Sequence, residues 1–297
     1  MFFDYTIVSF QYLGINMICL TGDIHHDSLC INDQKYIPKG LTEIRIADMY
    51  LDILQSYNVK ATLYTTGLTL VEQWKDFKRT AESPLIEIGG HTFSGLPRPF
   101  FSKLKSAFGI TTVSHADTHG KKKAQARDIK KMIDIVHKCM GKKLLSWRSH
   151  GLVRDEHTYG ILAENGVRFI SDEINWNKLL PEKLPSGLIS HPLNVIMDHD
   201  HLYHAHRTPE YVVQQQLNWP LKEDPTSESY SIEEWGELVE KQVSDIEAKG
   251  GVATVLMHPL CHYLADKFKT AERLIKIFSR YKNIFAYETG GYIKSDK

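Results

Sequence analysis

A chain of 297 residues with 36 basic and 36 acidic side chains has no formal net charge. That balance argues against a nucleic-acid or anionic-membrane surface as the main partner, since both ask for a basic excess. The length is ample for a sizeable core. The four cysteines (Cys19, Cys30, Cys139, Cys261) are scattered without a CxxC pair, which fits a reducing, cytoplasmic setting better than a disulfide framework.

Residues 1–16 are apolar but lack a basic leader region and a small-residue cleavage site, and Asp4 interrupts them. They read as an extension of a single domain over 17–297, too mixed to span a membrane. From Met17 the chain alternates between strand-like and helix-like segments, which implies a parallel sheet with helices outside it. Residues 17–26 form a strand ending in polar residues. Thr42 caps a helix to Tyr57, with Ile44, Ala47, Leu51 and Leu54 at helical spacing. A strand over 61–66, a helix around 71–78 and a strand over 85–90 follow. Residues 95–120 break the rhythm and read as a functional excursion, and Lys121–Lys123 as a solvated helix start. Helical spacing resumes over 124–140 and stops at Gly141. Further strands are expected at 144–147 and 167–171, with a helix to Asn165 between them, and one or two more within 187–197. Ser231 and Glu234 make a capping box for a helix to about Lys249. The apolar run 252–257 is a doubly covered strand. A helix over 270–281 and a strand over 284–288 complete the expected elements.

The chemistry collects at strand ends. Asp23 with His25, His91, Arg148, Asp172 and His258 each stand at the C-terminal end of a separate expected strand. In a parallel barrel those ends share the face on which active sites are built. Alternation puts Cys19, Thr21, Asp23 and His25 on one face of the first strand and Ile18, Leu20 and Ile24 on the other. The apolar set belongs against helices, so Asp23 and His25 point together into the barrel mouth. Burying that pair is costly unless it is hydrogen-bonded or metal-bound. Imidazole and carboxylate ligands from different strands suit zinc and also admit cobalt, nickel or iron. His258 emerges from the most apolar strand, where it could donate a proton to a leaving group. Arg148 could hold a carboxylate ionised or bind substrate. The cluster DHDHLYHAHR (198–207) offers either a second metal site or a substrate-binding rim. Dinucleotide, P-loop and nucleophile-elbow motifs are absent.

At these residues the chain resembles the polysaccharide deacetylase (NodB-homology) family. Its TGDIHH start in particular is similar to divergent, WalW-like members linked to cell-surface glycans. The resemblance implies a distorted (β/α) barrel of roughly seven strands. It makes Asp23 the catalytic base and puts His25 in place of the usual metal-binding acid. GGHTFSG gives His91 as a ligand, but Gly95 stands where a second histidine is usual, so His119 (or His115) from SHADTHG becomes the third ligand. WRSHG keeps Arg148 and puts His150 where proline is expected. LMHP makes His258 the acid. His150, Asp172 and His201 are the expected substrate-binding residues. The implied reaction is metal-dependent hydrolysis of a non-peptide carbon–nitrogen bond, removing an N-acetyl group from a carbohydrate. Zinc is the expected metal, with cobalt or nickel admitted. Two other readings are a cyclic amidase acting on a small nitrogenous ring and a catalytically silent barrel that binds a glycan or protein.

Overall fold

The computed structural model describes residues 17–95, 120–218 and 223–293. The expected extension over 1–16, most of the 95–120 excursion, His115 and His119 lie outside them. Among the described residues, nine strands form one sheet in the order β6-β7-β5-β4-β3-β2-β1-β8, with β9 also paired to β1. The strands are β1 (Met17–Ile24), β2 (Ala61–Thr65), β3 (Ile86–Gly90), β4 (Ser146–Trp147), β5 (Phe169–Ile170), β6 (Glu182–Lys183), β7 (Ile189–Ser190), β8 (Val252–Leu256) and β9 (Lys282–Asn283). All pairings are parallel except the β6–β7 hairpin.

Strand β1 carries the design. Ile18, Leu20 and Ile24 pack in the main core with Ile44, Ala47, Leu51 and Leu54 of helix α1 (Glu43–Tyr57). Met17 and Cys19 fall instead into a small inner cluster with Tyr64, Val252, Ile284 and Ala286. The two-residue period thus separates an outer apolar face from an inner one that turns polar at Thr21 and Asp23. Between the end of β7 and β8, one side chain stands in for strand pairing. The Asn194 amide donates to the carbonyls of Lys178 and Val252 and accepts from the Thr254 N–H, each at 2.9 Å. A buried amide that satisfies both edges lets the sheet curl into a barrel without leaving orphaned ladder groups.

The helices cover the outside: α2 (Gly67–Glu72), α3 (Trp74–Ala81), α4 (Lys122–Met140), α5 (Thr158–Glu164), α6 (Pro209–Asn218), α7 (Ile232–Ala248), α8 (Pro259–Asp266) and α9 (Lys269–Phe278). Thr42 and Ser231 cap α1 and α7 as expected, and Ser231 with Glu234 makes the reciprocal box. Gly141 ends α4 in the left-handed region at φ 64°. Three expectations are corrected. The 71–78 segment lies in two short helices that meet at Gln73. The helix expected over 270–281 is α9, ending at Phe278, and an unexpected helix, α8, precedes it, the two separated by Lys267 and Phe268 at positive φ. Residues 284–288 are not a strand: β9 stops at Asn283, and a 3-10 turn over Ala286–Tyr292 buries Ala286 and Thr289. No described helix is long and apolar enough to cross a membrane.

Candidate active site

The parallel register aligns Asp23 with Tyr64 on the neighbouring strand. Arg148, one residue past β4, is wholly buried. Its guanidinium lies over the Tyr64 ring at 4.4 Å. It donates to Asp23 Oδ1 at 2.8 Å, Thr21 Oγ1 at 3.0 Å, Ser171 Oγ at 2.8 Å and the Ser171 carbonyl at 3.2 Å. Arg148 therefore spends its donors inside the protein and holds Asp23 rather than substrate. Burial alone would raise the Asp23 pKa, but Arg148, His91 and His258 outweigh it and hold the carboxyl well below its ordinary range. Asp23 is an ionised carboxylate with Oδ2 turned to the cleft.

Three imidazoles converge beside it. Ring nitrogens of His25, His91 and His150 lie within 4.8 Å of one another, and the three rings meet edge-on with centroids 5.0–5.3 Å apart. Each ring is oriented by an acceptor behind it. His25 Nδ1 meets Glu43 Oε1 at 3.1 Å, and His91 Nδ1 meets the Arg148 carbonyl at 2.9 Å. The Gly95 backbone hydrogen-bonds His150. An acceptor behind the ring fixes the tautomer and leaves the other nitrogen's lone pair for a cation. Burial lowers the His91 pKa to about 3 and that of His150 well below its ordinary value. The glycines before His91 give the packing room: a Cβ on Gly89 would sit 2.4 Å from the Tyr64 ring, and one on Gly90 2.4 Å from the Trp147 ring.

Across the cleft stands His258, at the N-cap of α8. Its Nε2 is 3.5 Å from Asp23 Oδ2, and its Nδ1 is 2.7 Å from Asp198 Oδ1. Asp198 also accepts the His258 backbone N–H at 2.5 Å and lies 3.3 Å from His262. Burial would lower the His258 pKa, but the carboxylates of Asp198 and Asp23 push it up to about 10. His258 is a buried imidazolium, a proton donor at neutral pH.

The cleft, ≈ 810 Å³, is lined by Asp23, His25, His91, His150 and His258 together with Asp33, His199 and Arg207. Asp172 and His201, expected to bind substrate, are not in its wall. Asp172 is fully buried and accepts the Ser149 N–H at 2.6 Å and its hydroxyl at 3.0 Å, so it shapes the loop that carries His150. His201 is buried between the Glu228 carbonyl and Asp224. His150, also expected at the substrate, does line the cleft, but beside His25 and His91. Two residues escaped the sequence reading. Glu43 sits in the first helical position of α1, where an acid ordinarily serves the helix dipole. Asp198 was one of many ionisable side chains in the 198–207 cluster, and its partnership with the last strand end is purely tertiary.

Residues 44–170 match the polysaccharide deacetylase family. No curated protein matches the sequence. Among solved structures, a candidate polysaccharide deacetylase from Mycobacterium smegmatis superposes with a TM-score of 0.63 at 15% identity, over 92% of this chain and 87% of that one. A candidate polysaccharide deacetylase from Pseudomonas aeruginosa gives 0.58 at 11% identity, over 92% and 90%. Puue allantoinase gives 0.57 at 10% identity, over 93% and 88%. At such identities these likenesses establish the barrel. The family match adds that residues 44–170 of this chain are similar to the polysaccharide deacetylases.

Proposed function

We propose that this protein removes an N-acetyl group from a carbohydrate with the help of a divalent metal held by His25, His91 and His150. The observation that carries the reading is the trio of convergent imidazoles lying between an ionised carboxylate, Asp23, and a protonated histidine, His258. The residues fit a metal. His91 and His150 are held neutral by burial, and all three rings are braced from behind, so each can turn a lone pair inward. An all-imidazole set suits zinc and also admits cobalt or nickel. In this reading His150 takes the place expected for His119.

The bound cation would supply Lewis-acid polarisation to the amide and its attacking water. The protein supplies the proton traffic. Asp23, kept ionised by Arg148, takes a proton from water as the water oxygen bonds to the acyl carbon. The carbon–nitrogen bond then breaks, and His258 gives its proton to the departing nitrogen, leaving a free amine and acetate. Arg148 is a positioning residue: it fixes Asp23 Oδ1, so that only Oδ2 faces the reaction. Asp200, Arg207, Gln215 and Gln216 in the cleft wall offer hydrogen bonds suited to sugar hydroxyls. The test is acetate release from N-acetylated oligosaccharides by the metal-loaded wild type beside Asp23→Asn and His258→Ala. Release by the wild type, reduced roughly 10²–10⁴-fold in each variant, supports the assignment. Wild-type rates in both variants overturn it.

A further inference from the structure

A second group of metal-type donors lies beside the cleft, apart from the histidine trio, and Asp33 is its member that lines the cleft. Asp33 comes from a 3-10 turn after β1, His204 from the 198–207 loop, and Cys261 from α8. Each is at least nine-tenths buried, at 2%, 5% and 2% exposure. One ligand atom of each lies within 4.8 Å of the others. His204 Nδ1 is tied to the Leu202 carbonyl at 2.9 Å, so the ring has the back-bonded tautomer of a ligating histidine. Its Nε2 stands 3.5 Å from Asp33 Oδ1, and both atoms are buried without a hydrogen-bond partner. His199 Nδ1 lies 3.7 Å from both Asp33 Oδ2 and Cys261 Sγ, a fourth donor in reach.

We propose that Asp33, His204 and Cys261 form a second metal site that binds a zinc-class cation through a thiolate. A plain carboxylate–guanidinium cluster is the competing account, since Arg207 lies 3.5 Å from Asp33 Oδ2. That account uses one carboxylate oxygen. It does not account for the convergence of imidazoles on Asp33 Oδ1, with His204 Nε2 at 3.5 Å and His206 Nδ1 at 3.3 Å, or for the Cys261 sulfur beside His199 Nδ1 at 3.7 Å. Sulfur, imidazole and carboxylate together select zinc-like ions over magnesium or calcium. Binding would release the Cys261 thiol proton to solvent as the sulfur–metal bond forms. The site would staple three segments distant in the chain and so fix one wall of the cleft. It is independent of the histidine trio, which contains no sulfur.

That difference makes the test specific. The metal-free protein is titrated with cobalt(II) while the near-ultraviolet thiolate-to-cobalt charge-transfer band is followed. The expected band saturates at one equivalent of thiolate-bound cobalt. It persists in His25→Ala, which disables the trio, and in Cys30→Ser, which removes the exposed cysteine of the cleft. It is lost in Cys261→Ser, with the fold confirmed by circular dichroism. His204→Gln, which keeps the sulfur, weakens cobalt binding at least tenfold and decides the matter if Cys261→Ser does not fold. Absence of the band in the wild type overturns the site, as does a band unchanged in Cys261→Ser or an affinity unchanged in His204→Gln.

Discussion

His91 and His258 face the same oxygen from opposite walls: their Nε2 atoms lie 3.7 Å and 3.5 Å from Asp23 Oδ2. Both rings are buried, so desolvation disfavours the charged form of each. They nevertheless end up in opposite states. The acceptor behind His91 is the Arg148 carbonyl, and burial takes its pKa down to about 3. The acceptor behind His258 is the Asp198 carboxylate, and it carries the pKa up to about 10. One residue type, at one depth, becomes a lone-pair donor on one wall and a proton donor on the other. The choice is made by the charge of the group behind the ring.

The largest test of that contrast is to neutralise the acceptor behind His258. Asp198→Asn keeps the shape but removes the charge that holds the imidazolium. The rate of acetate release should fall roughly 10²–10⁴-fold, as for loss of a general acid. The alkaline limb of the kcat/KM profile should also move to lower pH, because the acid form is lost sooner as pH rises. An unchanged limb would mean that Asp198 does not set the proton.

On the opposite wall, Glu43→Gln removes the charge behind His25, keeps the shape of the side chain, and leaves the His91 and His150 braces untouched. Outer-shell partners of this kind are worth about 10–100-fold in metal affinity, and competition with a chelator would measure the loss. If affinity is unchanged, Glu43 is only a helix-capping acid. A smaller effect belongs to stability. The His258 pKa is raised from its ordinary 6.5 to about 10 in the folded protein. The proton it binds therefore stabilises the fold fully below about 6.5, and that contribution is lost as pH rises toward 10. Thermal unfolding of the wild type should fall across that window. Asp198→Asn should show a flatter dependence.

Much of this was legible in the sequence, and the failures have physical causes. The alternation in β1 announced both its apolar outer face and its polar tip, because one side of a strand must meet helices. Strands β4, β5 and β7 were expected to be longer than their two paired residues. Apolar runs report burial, and Leu144, Val167 and Leu188 are buried without being in the ladder. The 284–288 error has the same origin: Ile284 and Phe285 are buried beyond the last pairing of β9. At the site, Asp23, His25, His91, Arg148 and His258 were readable because each ends a strand. His150 was expected at the substrate, and its place beside His25 and His91 was not legible because a loop residue's direction depends on tertiary contacts. Here the Asp172 carboxylate grips Ser149, and the ring turns toward His25. Glu43 and Asp198 left no local signal at all, since each acts on a histidine far from it in the chain.

The smallest effect sharpens the comparison most cleanly, because it separates charge from position. His201 is a third kind of histidine. Burial would lower its pKa, but hydrogen bonding to Asp224 outweighs that and raises it, the same direction as for His258. Its Nε2 is 2.7 Å from Asp224 and its Nδ1 2.6 Å from the Glu228 carbonyl. Both nitrogens are spent on holding the 224–228 segment, and the ring is absent from the cleft wall. His201→Gln should therefore lower stability by about 1–3 kcal/mol, the usual loss for a buried hydrogen-bonded group. It should leave kcat and KM for acetate release close to wild type at temperatures where the variant is folded. A fall in kcat like that of His258→Ala would mean that the 198–207 loop works as one unit with the acid, so that position in the cleft would no longer separate the catalytic histidine from the structural one.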